Sequence, residues 1–250
     1  MSESRLAGSR PVALVTGAAR RIGATIARVL HADGYDLALH YRDSQADAQA
    51  LATELDQARP GSTLLLQADL AAFDRLPELV AFTVGRYGRL DALVNNASAF
   101  FPTDVGAATP AQWDTLFAIN ARAPFFLAQA AAAHLAATGG AIVNLGDIHA
   151  ERPLRGHALY GASKAALLHL TQALALELAP RVRVNAIAPG AILWPEGGKS
   201  QDAQDAILSR VPLARTGTPE EIAEAARWLL RGATYTTGQV VRLDGGRSLT

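Results

Sequence analysis

Short apolar runs alternate along the chain with longer segments in which apolar residues recur at helical spacing. Nearly continuous apolar runs predict strands buried on both faces, at residues 12–15, 36–41, 62–67, 92–94, 141–145, 182–187 and 239–243. Helical spacing predicts helices at residues 22–31, 44–58, 74–87, 111–137, 159–178 and 219–230. This alternation indicates a doubly wound α/β fold, with a parallel sheet of about seven strands and helices on both faces.

Single residues predict where helices begin and bend. Ser44 and Thr218 precede helical segments and suit the N-cap position, because a side-chain oxygen there accepts from a free backbone N–H. Pro219 fits a first helical turn, where its missing N–H is not needed. Pro124 lies inside the longest helix, so we predict that this helix bends or restarts there.

The chain is expected to form a single domain at residues 11–250, after a polar N-terminal tail at 1–10 that resembles no targeting signal. One segment, residues 193–213, shows neither the apolar run of a strand nor the apolar spacing of a helix, and it contains Trp194, Pro195 and a pair of glycines. Irregular insertions after a strand are where α/β folds place substrate loops. We therefore expect this segment to cover a substrate site, with Trp194 in contact with the substrate.

The composition excludes several classes of protein. Of the 250 residues, 50 % are hydrophobic and 18 % are charged, which suffices for a core and excludes global disorder. The formal net charge of zero argues against a nucleic acid or an anionic membrane as partner, and no uncharged apolar run is long enough for a membrane span. The chain has no cysteine and its histidines lack metal-ligand spacing, so we expect a cytoplasmic protein without a bound metal.

A Gly-rich turn follows the first predicted strand, where the chain reads Thr-Gly-Ala-Ala-Arg-Arg-Ile-Gly from residue 16. Gly17 would let the backbone reverse, and the helix that starts at Ile22 and Gly23 would present free N–H groups to a pyrophosphate. Arg21 stands where many such loops have a third glycine, and its guanidinium would add charge-assisted contacts to the phosphates. A tight turn without any ligand is the alternative.

The residues at the end of the second predicted strand indicate which nicotinamide cofactor is bound. A site for NAD usually places a carboxylate about 20 residues after the Gly-rich loop, whereas this chain has His40, Tyr41, Arg42, Asp43 and Ser44. Arg42 and Ser44 would bind a 2′-phosphate with His40 nearby, which favours NADPH over NADH. The charge of Asp43 would oppose a phosphate, and an ordinary solvated pair of Arg42 with Asp43 stays open.

Tyr160 and Lys164 are spaced so that a helix carries both on one face, about 5–6 Å apart at Cβ. A phenol with a reference pKa near 10 is a poor acid–base group at neutral pH, and a neighbouring ammonium is expected to lower that pKa. Lysine is rare here, because 21 of the 23 basic residues are arginine. Lys164 is therefore expected to be functional, whereas the other lysine, Lys199, is expected on the surface.

Taken in order, these motifs resemble the short-chain dehydrogenase/reductase family over essentially the whole chain. The residues that carry the resemblance are Gly17, Asp69, Leu70, Asn95, Asn96, Ala97, Asn120, Tyr160, Lys164, Pro189, Gly190, Asp244, Gly245 and Gly246. The resemblance implies that Tyr160 is the general acid–base, that Lys164 tunes it and binds ribose, and that Asn120 holds a water in a proton relay. Further cofactor contacts are implied for Asp69 and Leu70 at the adenine, Pro189 and Gly190 at the nicotinamide, and Asn96, Ala97, Ser98 and Ile192.

The chain departs from that family at one catalytic position. The usual serine before the tyrosine is missing, and Asp147 stands in its place, thirteen residues before Tyr160. A carboxylate would repel the oxyanion of a reduced ketone, but it would favour a nitrogen that becomes cationic. The exchange therefore points to reduction of a C=N bond, unless Asp147 is a harmless replacement or marks an inactive site.

Within the family the chain resembles the pteridine reductases most. They share the loop arginine at Arg21, the His-Tyr segment, the aspartate at 147 and an Asn-Asn-Ala-Ser-x-Phe signature at 95–100. The resemblance implies that Phe100 stacks on a pterin, that Asp147 and Tyr160 contact it, and that the protein is a homotetramer.

Two other functions stay open. A carbonyl reductase of the 3-oxoacyl or sugar type predicts ketone turnover and a tolerant Asp147→Ser variant. A catalytically idle NADP(H)-binding protein predicts cofactor binding without turnover. Trp113 and Trp228 lie on apolar helix faces and are expected in the core or in a subunit interface.

Overall fold

A computed structural model describes residues 10–194, 198 and 200–250. Within them, seven parallel strands form one sheet in the order β3-β2-β1-β4-β5-β6-β7. The strands are β1 (Val12–Val15), β2 (Asp36–Tyr41), β3 (Thr63–Gln67), β4 (Ala92–Asn95), β5 (Ala141–Leu145), β6 (Arg183–Pro189) and β7 (Val240–Leu243). The predicted fold class is confirmed, and the predicted strands agree with these bounds to within two residues.

Helices cover both faces of the sheet. They are α1 (Arg21–Ala32), α2 (Gln45–Ala58), α3 (Arg75–Tyr87), α4 (Pro110–Phe117), α5 (Ala123–Thr138), α6 (Ala158–Leu178), α7 (Gln201–Leu208) and α8 (Pro219–Arg231). Apolar residues of α1, α2 and α8 pack on one face, and those of α3, α5 and α6 pack on the other. Alternate residues of β1 point to opposite faces, so this strand is buried from both sides.

The longest predicted helix is divided at the predicted place. Its two halves, α4 and α5, are joined by a π-helical turn at Ala118–Arg122. Pro124 has no N–H to donate to the carbonyl four residues earlier, so the α-helical ladder cannot pass through this point. The π turn carries the buried Asn120.

The segment predicted to be irregular contains one element that the sequence pattern did not predict, the short helix α7. Ser200 caps it by accepting from the N–H of Ala203, yet none of its residues is fully buried. The helix therefore lies on the outside of the fold, as a loop over a site would. Pro195, Gly197, Lys199 and most of the predicted tail lie outside the described residues.

The described residues include one stretch, Pro110–Thr138, that is long and apolar enough to cross a membrane by length and composition. Its best window has a mean hydropathy of 1.2 and is 56 % buried inside the protein. Leu127, Ala131 and Leu135 of this stretch are fully buried in the core beneath the sheet, which is how a core helix of a water-soluble domain packs.

The strand order reverses between β1 and β4, which are neighbours in the sheet but distant in the chain. Loops that leave the carboxyl ends of these two strands run in opposite directions and open a crevice, the usual ligand position in such sheets. The Gly-rich loop leaves β1 and the Asn-Asn-Ala-Ser segment leaves β4, so the topology brings both motifs to this crevice.

Candidate functional site

A cleft of about 610 Å³ opens at the carboxyl ends of β1, β2 and β4. Most of the residues predicted to bind a cofactor line it together with Phe100: Gly17, Arg21, Ile22, Gly23, His40, Tyr41, Arg42, Ser44, Asp69, Leu70, Asn96, Ala97 and Ser98. Sequence reasoning missed other lining residues: Ala19, Arg20, Phe101, Thr115 and Ile119. Thr115 and Ile119 come from α4 and the π turn, which carry no ligand motif in the sequence.

The Gly-rich loop is held in one shape by close approach to its neighbours. A Cβ on residue 23 would lie 2.1 Å from the carbonyl oxygen of Gly17, so only glycine lets α1 begin there. The side-chain amide of Asn96 donates to the carbonyl oxygens of Thr16 and Gly17 at 2.9 and 3.0 Å. Arg21 has a φ of 54°, a left-handed conformation in which glycine is usual. These contacts fix the shape of the loop, and the residue that follows β4 binds it by hydrogen bonds.

His40 supports this loop from inside the protein. Its Nδ1 accepts from the N–H of Gly17 at 3.2 Å, and its Nε2 lies 3.1 Å from the carbonyl oxygen of Ala68. Since Nδ1 accepts, the proton sits on Nε2 and the ring is neutral. Burial lowers the pKa of His40 to about 4, although the bond to Ala68 opposes that shift. His40 is therefore a neutral brace beneath the cleft rather than a cation that faces a phosphate.

The predicted 2′-phosphate ligands lie at the mouth of the cleft. Arg42 forms an exposed ion pair with Asp43, with 2.5 Å between Nε and Oδ2, which is the solvated pair that the sequence left open. Such exposed pairs contribute about 0–1 kcal/mol, so a phosphate can compete for the guanidinium. Ser44 occupies the predicted N-cap position of α2, but its side chain makes no capping hydrogen bond within the described structure.

The chemical groups lie beside the cleft, where β5 ends and α6 begins. The phenol of the buried Tyr160 donates to Oδ2 of Asp147 at 2.6 Å. The other carboxylate oxygen of Asp147 accepts from the N–H of His149 at 2.8 Å, which caps a short 3₁₀ turn. Burial raises the pKa of Tyr160, and the carboxylate beside it raises that pKa further. The phenol is therefore held in its protonated form.

Lys164 does not pair with the phenol in the way that the sequence suggested. Its Nζ donates to the carbonyl oxygen of Leu145 at 2.7 Å, and the residue is only 2 % exposed. Burial lowers its pKa to about 8, while the charge of Asp147 opposes that shift. The pKa of Tyr160 is raised rather than lowered, because burial and the charge of Asp147 both oppose the phenolate, and a tuning role of Lys164 stays a prediction.

Asn120 fastens the segment after β4 to α6. Its amide oxygen accepts from the N–H of Ala99 and the hydroxyl of Ser98, at 2.9 and 3.1 Å. Its amide nitrogen donates to the carbonyl of Ala99 and to the hydroxyl of Ser163, both at 3.0 Å. All four hydrogen-bonding positions of the side chain are used, so the side chain fastens these two segments together, and the expected water contact of Asn120 stays a prediction. The hydroxyl of Ser98 also lies near Tyr160, where its hydrogen bond lowers the phenol pKa.

Phe100 connects the cleft to the chemical groups. It is 53 % exposed, and its ring meets that of Tyr160 edge to face, with 4.7 Å between centroids. The imidazole of His157 stacks on Phe100 at 4.7 Å with an interplanar angle of 17°. Sequence reasoning missed His157, because a single histidine in a loop carries no motif.

The remaining predicted residues lie away from the main cleft. Gly190 packs against Asp244, where a Cβ would lie 2.7 Å from the neighbouring Cα, and Ile192 is buried in the core. Pro189 ends β6. The carbonyl of Trp194 accepts from the guanidinium of Arg21 at 3.1 Å, so the predicted substrate loop touches the Gly-rich loop.

Two further expectations concern tryptophans and metals. Trp113 and Trp228 are each 47 % exposed, so their placement in the core is wrong and a subunit interface is the alternative that stays a prediction. Trp113 stacks on Phe117 instead. In the described residues, no group of three histidine, aspartate or glutamate side chains is arranged to hold a metal ion.

Comparisons with known proteins give the wider context. A family model described as enoyl-(acyl carrier protein) reductase matches residues 17–248. Pteridine reductase 1 of Leishmania tarentolae is 38 % identical, over 96 % of this chain and 97 % of that protein. A Streptomyces violaceoruber protein named for a ketoacyl reductase role in the granaticin polyketide synthase is 39 % identical over 96 % of both chains. A 3-oxoacyl-[acyl-carrier-protein] reductase of Staphylococcus epidermidis is 35 % identical, over 94 % of this chain and 97 % of that protein.

Proposed function

The chain belongs to the short-chain dehydrogenase/reductase family, and on that premise we propose that it uses NADPH to reduce a C=N bond of a pteridine. The observation that carries this proposal is the hydrogen bond from Tyr160 to the carboxylate of Asp147. A carboxylate at this place disfavours an oxyanion and favours a nitrogen that gains positive charge. The likeness to a pteridine reductase supports the same reading, whereas equally similar relatives are ketoacyl reductases.

The residues around the cleft fit a dinucleotide phosphate. Arg21, Ile22 and Gly23, in the first turn of α1, line the cleft, and the N–H groups of a first helical turn have no partner within the helix. Such a helix start binds a pyrophosphate, and the guanidinium of Arg21 lies beside it. Arg42 and Ser44 would hold the 2′-phosphate, while Asp69 and Leu70 would flank the adenine. When bound, NADPH supplies the hydride that adds to the carbon of the C=N bond.

Tyr160 is the proposed proton donor for the substrate nitrogen. Its raised pKa keeps the phenol protonated at neutral pH, so a proton is present at Oη when the nitrogen becomes basic. Loss of that proton would leave the phenolate beside the carboxylate of Asp147, and the buried ammonium of Lys164 would offset the two charges. Solvent returns the proton to Tyr160 afterwards, so each turnover consumes one hydride and one proton.

Phe100 is the proposed stacking surface for the pterin. The ring lines the cleft and contacts Tyr160, and a flat heteroaromatic ring gains from an aromatic face. The segment that begins near Trp194 would lie beside this position, since the carbonyl of Trp194 accepts from Arg21. We also propose a homotetramer, in which exposed apolar residues of α4, α6 and α8 such as Trp113, Leu176 and Trp228 are covered. Light scattering on the purified protein measures its molecular mass and so tests the proposed tetramer.

One observation favours the carbonyl reductase instead. The hydroxyl of Ser98 lies near the phenol of Tyr160, and it would become a neutral donor for an oxyanion if it turned from the amide oxygen of Asn120, although the family serine is absent. Under this alternative, Asp147→Ser is tolerated or improves ketone turnover.

The test is the rate of NADPH oxidation with dihydrobiopterin, dihydrofolate and an acetoacetyl thioester. We expect turnover of at least one of the two pterin substrates and its loss in Tyr160→Phe. Turnover of the thioester alone establishes the carbonyl reductase. NADPH binding without turnover of any of the three substrates establishes that the protein binds the cofactor but is catalytically idle. Pterin turnover that is undiminished in Tyr160→Phe overturns the proposed proton donor.

A further inference from the structure

Three aromatic rings follow one another beside the cleft. Tyr160 contacts Phe100 edge to face, and Phe100 stacks against His157 with the two rings 17° from parallel. The three rings come from two chain segments, because His157 precedes the first turn of α6 and Phe100 follows β4. Tyr160 and His157 are thus on one rigid helix start, and Phe100 is the ring that must be held against them.

Phe100 has little support of its own. Residues 96–101 form neither helix nor strand, and Asn120 holds the backbone at Ala99 but not the ring of the next residue. More than half of the Phe100 surface is exposed. An exposed side chain outside helix and strand can sample several rotamers, and it loses that freedom when a ligand stacks on it.

His157, in contrast, is held by one hydrogen bond of its ring and by two backbone contacts. Its Nδ1 lies 3.1 Å from the carbonyl oxygen of Arg155, so the proton sits on Nδ1. Its backbone N–H donates to Leu154 at 3.1 Å, and the residue forms an isolated parallel bridge with Thr103. The ring that covers one face of Phe100 therefore belongs to an anchored part of the chain.

From these contacts we propose that His157 is a positioning residue that determines pterin affinity, by holding Phe100 at the catalytic tyrosine. This inference rests on the proposed pteridine reductase activity. His157 touches neither the substrate nor the reacting atoms in this role, and it acts through the ring of Phe100. Any flat aromatic side chain at position 157 would serve, because the contact uses the face of the ring rather than its nitrogen atoms.

His149 provides a matched control. It lies in the same loop, and its Nδ1 is likewise 2.9 Å from a backbone carbonyl, that of Arg152. Among the described residues, however, the aromatic contacts of this loop involve His157 and not His149. The two alanine variants thus remove the same side chain and a similar hydrogen bond, but only one removes the stack.

The experiment measures the dissociation constant of 6-methylpterin for the NADP⁺-saturated protein by quenching of pterin fluorescence, because the oxidised cofactor cannot reduce the probe. We expect His157→Ala to bind the pterin about two- to twelvefold more weakly, the factor that corresponds to one aromatic pair. His157→Phe should restore the wild-type affinity, and His149→Ala should keep it. The KM for dihydrobiopterin should rise in His157→Ala with little change in kcat, and the affinity for NADPH should stay unchanged.

Each contrary result has a distinct meaning. Wild-type affinity in His157→Ala, or weak binding in His157→Phe, overturns the positioning role and leaves the proposed function standing. An equal loss in His149→Ala, or a parallel loss of NADPH affinity, shows that only loop structure was disturbed and overturns it as well. If the wild-type protein neither binds the pterin nor reduces dihydrobiopterin, the proposed function and the inference both fail.

Discussion

Replacing Asp147 by serine tests the chemical reading of the site most directly. The carboxylate lies 2.6 Å from the phenol oxygen of Tyr160. If the phenol were ionised, two negative oxygens at that separation would repel each other by about 6 kcal/mol at an effective dielectric constant of about 20. Burial raises the pKa of Tyr160 first, and this repulsion adds to it. Serine removes the repulsion and makes the phenol more acidic.

The two substrate classes respond to this change in opposite directions. A developing oxyanion is no longer repelled, so turnover of an acetoacetyl thioester should stay or rise in Asp147→Ser. A pterin nitrogen that gains positive charge loses its anionic partner, and kcat/KM for dihydrobiopterin should fall about 100-fold or more, as expected for loss of acid–base assistance. Serine is also a good cap, so the turn that Asp147 caps at His149 should survive.

The assay compares kcat/KM for both substrates in wild type, Asp147→Ser and Asp147→Asn, with the melting temperature as a check of folding. Asparagine keeps the size and the cap but removes the charge, so it should behave as serine does if charge is what matters. Dihydrobiopterin turnover within about threefold of wild type in both variants would refute the reasoning, because that threshold is far below the loss expected for an acid–base partner.

The remaining predictions concern the cofactor half of the site and its supports. Gly23→Ala puts a Cβ 2.1 Å from a backbone oxygen. It should lower the free energy of unfolding by about 1–3 kcal/mol and should also weaken NADPH binding. Gly85→Ala, at a helical position where an added Cβ would meet no atom within 4 Å beyond its chain neighbours and its own helix backbone, should instead gain about 0.5–1 kcal/mol in the same urea titration. The pKa of His40 is lowered from 6.5 to about 4, so the unfolded chain binds a proton that the native state refuses. Stability present above pH 6.5 should therefore fall by about 3 kcal/mol as the pH drops toward 4, and His40→Asn should lack that part of the acid sensitivity. The pKa of Lys164 is lowered to about 8, so kcat/KM should decline as the pH rises through that value, and a profile that stays flat would contradict a role for the ammonium. Arg42→Ala should raise the KM for NADPH about tenfold, through loss of a charged hydrogen bond, without changing the KM for NADH, and equal effects on both cofactors would argue against a 2′-phosphate contact.

Local sequence signals located most of the residues that line the cleft. The Gly-rich turn, the strand ends and the helix start are all encoded within a few neighbouring residues, and the parallel sheet brings strand ends to one edge. His40 shows the limit of that reasoning, because its position in the motif suggested a phosphate neighbour. Its burial beneath the loop depends on Ala68, which lies 28 positions further along the chain.

The sequence named the candidate catalytic residues but did not predict their contacts. Tyr160 and Lys164 do share one helix, as their spacing predicted, yet the phenol bonds Asp147 and the ammonium bonds Leu145. Helical spacing fixes which side chains share a face, but not which neighbour on another element each side chain meets. The stack of His157 on Phe100 escaped prediction for the same reason, since 57 positions separate the two residues.

The sequence by itself determined the order and type of the elements, the position of the glycines and the charge at residue 147. These are local properties, because hydrophobic period and backbone conformation depend on neighbouring residues. Only the tertiary structure decided which groups are buried and which are partners. Burial makes His40 neutral, raises the pKa of Tyr160 and lowers that of Lys164. Desolvation and contacts between distant segments exist only after the chain has folded, so no sequence pattern carries them.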